Sequence, residues 1–355
     1  YGMGEKPIIE IAHRIGSGEP LNGIRQTAQC VACINPEEGD IVLHSHEACL
    51  KDKIKQAENF RHIEEESNKY EASRILQQIG EQTIVVNPPY PPMTTEELDH
   101  SYDLPYTRLP HPKYAKRGVI PAYEMIRHSV NIHRGCFGGC AFCTISAHQG
   151  KFINSRSERS ILAEVEKVTR MPDFKGYLSD VGGPSANMYG MGGNDKALCA
   201  RCKRPSCIHP AICPNINTDH RPLLQIYKAV DSLPGIKKSF IGSGVRYDLL
   251  LHESKDERIN EAARKYTREL ITRHVSGRLK VAPEHTSDAV LRIMRKPPFR
   301  LFHEFKSIFD QINRQAGLRQ QIIPYFISSH PGCSEEDMAE LAVETKSLDF
   351  QLEQV

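Results

Sequence analysis

The sequence contains no tryptophan, no long apolar segment and almost no net charge. Its 46 Lys and Arg residues nearly balance 44 Asp and Glu residues, which leaves a formal charge of +2 over 355 residues. Proteins that follow a nucleic acid backbone usually concentrate basic charge, so nucleic acid is not indicated as a partner. No apolar run approaches the roughly 20 residues that span a bilayer, and no export signal is visible at the start. We therefore expect no membrane partner and a cytoplasmic location.

Cysteine, by contrast, is abundant. The chain has 11 cysteines, an odd number, and they occur in clusters rather than evenly along the sequence. In a reducing compartment, clustered cysteines indicate metal or redox sites rather than disulfide bonds. The cysteine clusters are therefore the first places in which to look for function.

The second part of the sequence has a regular alternation of short apolar strands and amphipathic helices. Five strand–helix units are predicted between Ser129 and Ser347, and Leu352 to Val355 looks like the opening of a sixth strand. Alternation of this kind predicts a parallel sheet with right-handed crossovers. Five or six units are too few for a closed eightfold barrel, so we predict an α/β fold with an open partial (βα)6-type barrel. Ligands should then lie at the carboxyl ends of the strands.

Three regions are predicted along the chain. Residues 1–86 form a smaller N-terminal α/β segment, residues 87–120 a proline-rich connector, and residues 121–355 the core domain. An irregular loop within a single domain is the alternative to the connector, since consecutive prolines exclude a helix in either case. The elements predicted in the first region are a helix at Ile8–Ile15, a strand at Ala28–Ile34, a solvent-facing helix within Lys51–Gly80, and a strand at Thr83–Val86.

A glycine-rich loop with three cysteines follows the first core strand. Cys136, Cys140 and Cys143 are separated by three residues and then by two. Three thiolates on one tight loop can converge on one soft metal centre, and a four-iron cluster with three ligands leaves one iron open. A zinc site completed by His133 or His148 is the alternative, although zinc sites usually pair their cysteines in two separate hooks.

These residues resemble the radical S-adenosylmethionine (SAM) superfamily and, within it, the YgiQ-like family. The stretches that carry the resemblance cover roughly Pro121 to Val355, and the preceding segment resembles the second part of that family's N-terminal domain. Family members are longer at both ends, so we expect this chain to be a core fragment. The stretches are, in order, RGCFGGCAFC, in which Phe142 precedes the last cysteine, then SDVGGPSANMYG, SGVRYDLL, LKVAPEH and PYFISSHPGC.

The resemblance implies a radical SAM enzyme whose substrate is unassigned. A [4Fe-4S] cluster on the first cysteine loop would cleave S-adenosylmethionine reductively, and the resulting 5′-deoxyadenosyl radical would abstract hydrogen from the substrate. An electron donor of the flavodoxin or ferredoxin type is the expected partner. A likeness to methylthiotransferases offers RNA or protein modification as one alternative, and a non-catalytic iron–sulfur or zinc protein is another.

The same resemblance places the SAM ammonium after the second strand. Gly182 and Gly183 would offer backbone carbonyls there, as a Gly-Gly-Glu motif does in the superfamily. This sequence has Pro184 in place of the Glu, so the carboxylate contact is missing from the motif. Asp180 could supply the missing charge.

Further cofactor contacts are implied after the first and third strands. Ser243 would bond the SAM ribose, and the Arg246 guanidinium would pair with the methionine carboxylate in a two-pronged fork. Phe142 is the aromatic residue that precedes the last cluster cysteine. At the mouth of the sheet, Glu284, His285 and His330 are either acid–base groups or structural side chains.

A second cysteine group lies in an insertion at about residues 185–220. Four cysteines there could hold zinc or an auxiliary iron–sulfur cluster, or they could be free thiols. Cys30 and Cys33 form another pair, which is interpreted as a metal or redox site or, more simply, as two core thiols on a strand. The four cysteines of the insertion are Cys199, Cys202, Cys207 and Cys213.

Overall fold

The computed structural model describes residues 2–348 of the chain. They form a mixed α/β structure in which an N-terminal region with a four-stranded sheet precedes a core with parallel strand pairs. The sixth strand predicted at Leu352–Val355 lies outside the described residues. Within residues 2–348, no helix is both long and apolar enough to cross a membrane.

The N-terminal region is built around a small mixed sheet. Its strand order is β1-β4-β3-β2, with β4 antiparallel to both neighbours and β2 parallel to β3. The apolar side chains of Ile75, Leu76 and Val85 are buried in this sheet. The elements are α1 (Glu5–Ser17), β1 (Ala28–Val31), β2 (Ile41–Val42), α2 (His46–Lys51), α3 (Lys53–Ser67), β3 (Ile75–Ile79), β4 (Gln82–Val86), α4 (Thr95–Asp103), a 3₁₀ turn (Pro112–Tyr114) and α5 (Pro121–Ile126).

Two predictions for this region need correction. The helix predicted within Lys51–Gly80 ends at Ser67, and Ile75–Ile79 is a strand instead, because it pairs along its whole length with Gln82–Val86. The proline-rich stretch also contains a helix, Thr95–Asp103, which begins at a capping box formed by Thr94 and Glu97. The division of the chain at residues 86 and 120 stays a prediction.

The core region alternates strands and helices as predicted. Its helices carry apolar faces that are buried against the sheet, as at Leu223, Ile226 and Val230. Its elements are β5 (Ser129–Asn131), β6 (His133–Arg134), α6 (Ile145–Gln149), β7 (Asn154–Ser155), α7 (Glu158–Thr169), β8 (Tyr177–Leu178), β9 (Asp180–Gly182), β10 (Gly192–Gly193), α8 (Lys196–Ala200), β11 (Ile216–Asn217), α9 (Arg221–Asp231), β12 (Lys238–Ser239), α10 (Tyr247–Leu250), α11 (Glu257–Glu269), a π-helical turn (Leu270–His274), β13 (Arg278–Glu284), α12 (Asp288–Met294), α13 (Arg300–Ala316), β14 (Gln321–Phe326) and α14 (Glu335–Ser347).

The parallel strands of the core follow one another in chain order. β5 pairs with β9, β8 pairs with β12, and β13 pairs with β14, all in parallel. The Ile241 amide, just beyond β12, donates to the His274 carbonyl at 2.9 Å. This hydrogen bond links the end of β12 to the segment that precedes β13. No closed eight-stranded barrel is present among residues 2–348, which confirms the open α/β arrangement. The loops at the carboxyl ends of these strands therefore form one face of the core.

Candidate functional site

The first cysteine loop leaves the sheet directly after β6. Its tight path depends on Gly135 and Gly139, whose positive φ values of 87° and 58° favour glycine. A Cβ atom at Gly135 would overlap the Phe152 carbonyl, and one at Gly139 would overlap the Pro205 carbonyl. The loop is fixed at its start by a hydrogen bond from the Cys136 amide to the Gly150 carbonyl, at 3.1 Å.

The thiols of this loop face the same space. A Cβ atom placed on Gly138 would lie 3.3 Å from Cys136 Sγ, 3.8 Å from Cys140 Sγ and 2.8 Å from Arg246 Nη1. Cys143 is close enough to act electrostatically on Cys136. Among residues 2–348, no group of three or more His, Cys, Asp or Glu side chains stands ready to hold a metal ion. The donor set itself, three neighbouring thiols on a glycine loop, fits a soft metal centre.

Burial disfavours the ionised form of two thiols of this loop. It raises the pKa of Cys136 and of Cys143 above the ordinary value, while the nearby Arg246 cation opposes the rise at Cys136. Burial therefore favours the protonated form of Cys136 and Cys143 in the absence of metal. Metal binding to this loop should accordingly release protons and strengthen as the pH rises.

The loops after β9 and β12 meet beside the cysteine loop. A Cβ atom on Gly182 would lie 2.7 Å from Ser243 Oγ, so these two strand ends touch. The Asp180 carboxylate accepts hydrogen bonds from the Gly242 amide at 2.9 Å, from the Ser243 amide at 3.3 Å and from the Ser243 hydroxyl. Asp180 thus holds the loop after β12 in place. Its assignment to the SAM ammonium stays a prediction.

Gly183 is packed against a buried histidine. The His133 ring is completely buried, and a Cβ atom on Gly183 would overlap it. Neither ring nitrogen of His133 has a hydrogen-bond partner in the described part of the chain, and burial lowers its pKa to about 4. The neutral His133 imidazole therefore fills the space behind Gly183. His148, the other candidate zinc ligand, lies in α6.

Arg246 points from the β12 loop toward the cysteine loop. Its Nη1 lies 3.7 Å from Cys140 Sγ, while Nε and Nη2 donate to the two oxygens of Asp248 at 2.9 and 2.6 Å. Burial opposes the charge of this guanidinium, but Asp248 outweighs it and raises the pKa of Arg246 further. Arg246 is therefore a cation that Asp248 fixes in position beside the thiols. Asp248 was not predicted as its partner, and its position two residues later is the only sequence signal for the pair.

The first cysteine loop also contacts the loops after β13 and β14. The Phe142 ring makes an edge contact with His330, with ring centroids 6.3 Å apart. Glu284 lies at a bulge near the end of β13 with a positive φ of 72°, and Lys296 Nζ is 3.5 Å from its carboxylate. Both charged groups act on Cys143. Thus all five loops that follow the predicted strands border this site.

The remaining cysteines differ in their surroundings. Cys30 and Cys33 are exposed, so their interpretation as core thiols is wrong, and Cys30 Sγ donates to the Gln82 side chain at 3.1 Å. Cys333 Sγ lies 3.4 Å from His285 Nε2. The four cysteines of the insertion line a single cavity of about 650 Å³ together with Lys151, which sequence reasoning missed because it lies far outside the insertion.

Comparison with known proteins finds relatives that are similar to this chain along its whole length. Residues 1–129 match the model of the Radical SAM N-terminal family, and the match ends where β5 begins. The whole chain is 69% identical to a UPF0313 protein of Bacteroides thetaiotaomicron and 65% identical to one of Porphyromonas gingivalis. Over its whole length the chain is thus similar to UPF0313 proteins, and its first 129 residues match the Radical SAM N-terminal model. The resemblance to radical SAM proteins predicted from the sequence is thereby confirmed.

A more distant relative is also similar to the whole chain. A UPF0313 protein of Methanocella arvoryzae is 42% identical over the entire chain. The chain covers 60%, 57% and 58% of the Bacteroides, Porphyromonas and Methanocella proteins, so it spans somewhat more than half the length of these relatives. Among solved structures, the radical S-adenosylmethionine methyltransferase TsrM from Kitasatospora setae matches 98% of this chain and 49% of its own, with a TM-score of 0.46 and 14% identity.

Proposed function

We propose that this chain is the core of a radical SAM enzyme. Cys136, Cys140 and Cys143 hold a [4Fe-4S] cluster on its first cysteine loop, with the fourth iron left open to S-adenosylmethionine. The observation that carries the proposal is the meeting of three neighbouring thiols, the Arg246 cation and the Gly182–Gly183 backbone at the carboxyl ends of adjacent parallel strands. The matches to the Radical SAM N-terminal family and to UPF0313 proteins support it.

When bound and reduced, such a cluster supplies one electron that breaks the S–C5′ bond of SAM, which gives methionine and a 5′-deoxyadenosyl radical. The radical then abstracts hydrogen from the substrate. Because the electron must come from outside the chain, a small flavodoxin- or ferredoxin-type protein is the proposed partner. The eleven cysteines are all free, which is in keeping with a reducing, cytoplasmic setting.

The chain's own residues would position SAM. Gly182 and Gly183 bring backbone carbonyls close to the ammonium because they lack side chains. Arg246 pairs with the methionine carboxylate, and it can do so because Asp248 fixes the guanidinium while Nη1 remains directed at the thiols. Ser243, held by Asp180, faces the ribose. Phe142 closes the side toward His330.

The decisive experiment is SAM cleavage by the anaerobically reconstituted and reduced chain. We expect 5′-deoxyadenosine to form in the wild type and to disappear in the Cys140→Ala variant. Cys33→Ala is the matched control, since Cys33 is exposed and lies outside both cysteine groups. An intact cluster in the wild type without any 5′-deoxyadenosine would favour a non-catalytic iron–sulfur protein.

A further inference from the structure

The insertion that follows Pro184 brings four cysteines together. Cys199 and Cys202 form one hook, in which the Cys202 amide donates to the Cys199 carbonyl at 3.1 Å. Cys207 and Cys213 form a second hook, in which the Cys213 amide donates to the Cys207 carbonyl at 2.8 Å. All four thiols line the same cavity, and Cys207 lies within electrostatic range of the other three. Two cysteine pairs from separate turns are thus brought to one place, as in four-thiolate zinc sites.

The insertion has little else to hold it in one shape. Its regular structure consists of α8, five residues long, and the two-residue strands β10 and β11. Ala186 and Tyr189 at its start pack on the main apolar core, and Met188, Met191 and Ile208 are buried in a smaller separate cluster. A segment of this length without its own core needs another source of order, and four thiolates on one metal ion can provide it.

A buried cation lies against these thiols. Lys151 is 2% exposed, and its ammonium donates to the Arg204 carbonyl at 2.8 Å and approaches Cys202 Sγ at 3.7 Å. Within the described residues no carboxylate lies at ion-pair distance from it. A buried charge needs an opposite charge, and four thiolates around a divalent ion carry a net charge of −2. Lys151 is therefore placed to offset the charge of an occupied site.

The insertion also packs on the first cysteine loop. The Cys207 amide donates to the Phe137 carbonyl at 3.0 Å, and Gly139 lies directly against the Pro205 carbonyl. Phe137 is buried among apolar side chains of the insertion, including Met188 and Ile208. A metal that fixes the insertion would thus also support the loop that carries Cys136 and Cys140.

We propose that Cys199, Cys202, Cys207 and Cys213 bind one Zn²⁺ ion in a closed four-thiolate site, and that this site holds the insertion against the first cysteine loop. The number of thiols favours zinc in a structural role, because four thiolates complete its tetrahedral coordination and leave no open position. The proposal does not depend on SAM chemistry.

The test is metal analysis of a variant that lacks the first three cysteines. In Cys136→Ala/Cys140→Ala/Cys143→Ala protein, purified without added metal, we expect about one zinc per chain and no acid-labile sulfide. Adding Cys207→Ser should lower zinc at least about fivefold, whereas adding Cys33→Ser should leave it unchanged. Iron with sulfide in place of zinc, or less than about 0.2 equivalents of either metal, would overturn the proposal.

A second measurement remains informative if the cysteine variants fold poorly. Cobalt(II) added to the zinc-free triple variant should give the absorption of a tetrahedral four-thiolate site, and stoichiometric zinc should bleach it. Tryptic cleavage after Arg201, Lys203 or Arg204 should be slow with zinc and at least about tenfold faster after chelation. Absence of the cobalt absorption, or equal cleavage rates with and without zinc, would contradict the proposal.

Discussion

The first cysteine loop follows a strand of the parallel core, whereas the second cysteine group lies in an insertion with little regular structure. The first loop takes its shape from the sheet and from glycines such as Gly135 and Gly139, and it presents three thiols. The insertion takes its shape from contacts with Lys151 and with the first loop, and it presents four thiols. In the two proposals, the site supported by the fold leaves a coordination position open, whereas the site that orders its own segment uses a closed set of ligands.

The largest expected effect, which distinguishes the first cysteine loop from the second cysteine group, comes from removing a thiol from the first loop. Changing Cys136, Cys140 or Cys143 singly to Ala should abolish the iron–sulfur chromophore and SAM cleavage, because three ligands are the minimum for the open cluster. Zinc on the insertion should remain. Iron, sulfide and zinc counts measure both results, and full cluster content in any of these variants would show that its thiol is not a ligand.

Crowding the contact between the two groups should have the next largest effect. Gly139→Ala places a methyl group against the Pro205 carbonyl at a positive φ, so we expect a loss of about 3 kcal/mol in unfolding free energy. Gly244→Ala is the matched control, because open space surrounds that position, and its effect should stay below about 0.5 kcal/mol. Urea unfolding measures the free energy of both variants. Equal losses in the two variants would mean that the insertion is not packed tightly against the loop.

The sequence predicts the alternating strands and helices of the core. These features depend on local patterns of apolar residues, glycines and capping side chains. The docking of Lys151 on the insertion and the packing of His133 against Gly183 join segments far apart in sequence, and no local pattern encodes them. The strand at Ile75–Ile79 is a different case, because its partner Gln82–Val86 follows after only two residues and the pair is a local hairpin.

Acid should weaken the core, on which the first loop depends, through its buried histidines. Burial lowers the pKa of His220 to about 4, so unfolding lets this ring take up a proton between about pH 6.5 and 4. The neutral ring's contribution is therefore complete above pH 6.5 and is lost as the pH falls through this window. At pH 4.5 the loss should be about 2 kcal/mol relative to pH 7. His220→Phe should show a smaller loss in urea titrations, and an identical pH dependence would contradict the assignment.

A last prediction concerns a different quantity, the affinity for SAM, and the cation beside the first loop. Arg246→Ala should weaken SAM binding by at least about tenfold, because truncating one charge of a buried pair typically costs 2–5 kcal/mol. The cluster spectrum should stay unchanged. Arg258→Ala is the matched control, since Arg258 pairs with Asp256 in a similar fork but at an exposed position. Wild-type affinity in Arg246→Ala would place the SAM carboxylate elsewhere.

The proposed cluster with one iron that lacks a cysteine ligand is tested most directly by electron paramagnetic resonance. Spectra of the reduced cluster are recorded with and without SAM. The measurement is made on the anaerobically reconstituted chain after its second cysteine group has been loaded with zinc. A ligand that binds an open iron changes the electronic environment of the cluster, so we expect the spectrum to shift when SAM is added. A full-strength cluster signal that does not respond to saturating SAM would contradict the account, because the fourth iron would then already have a ligand.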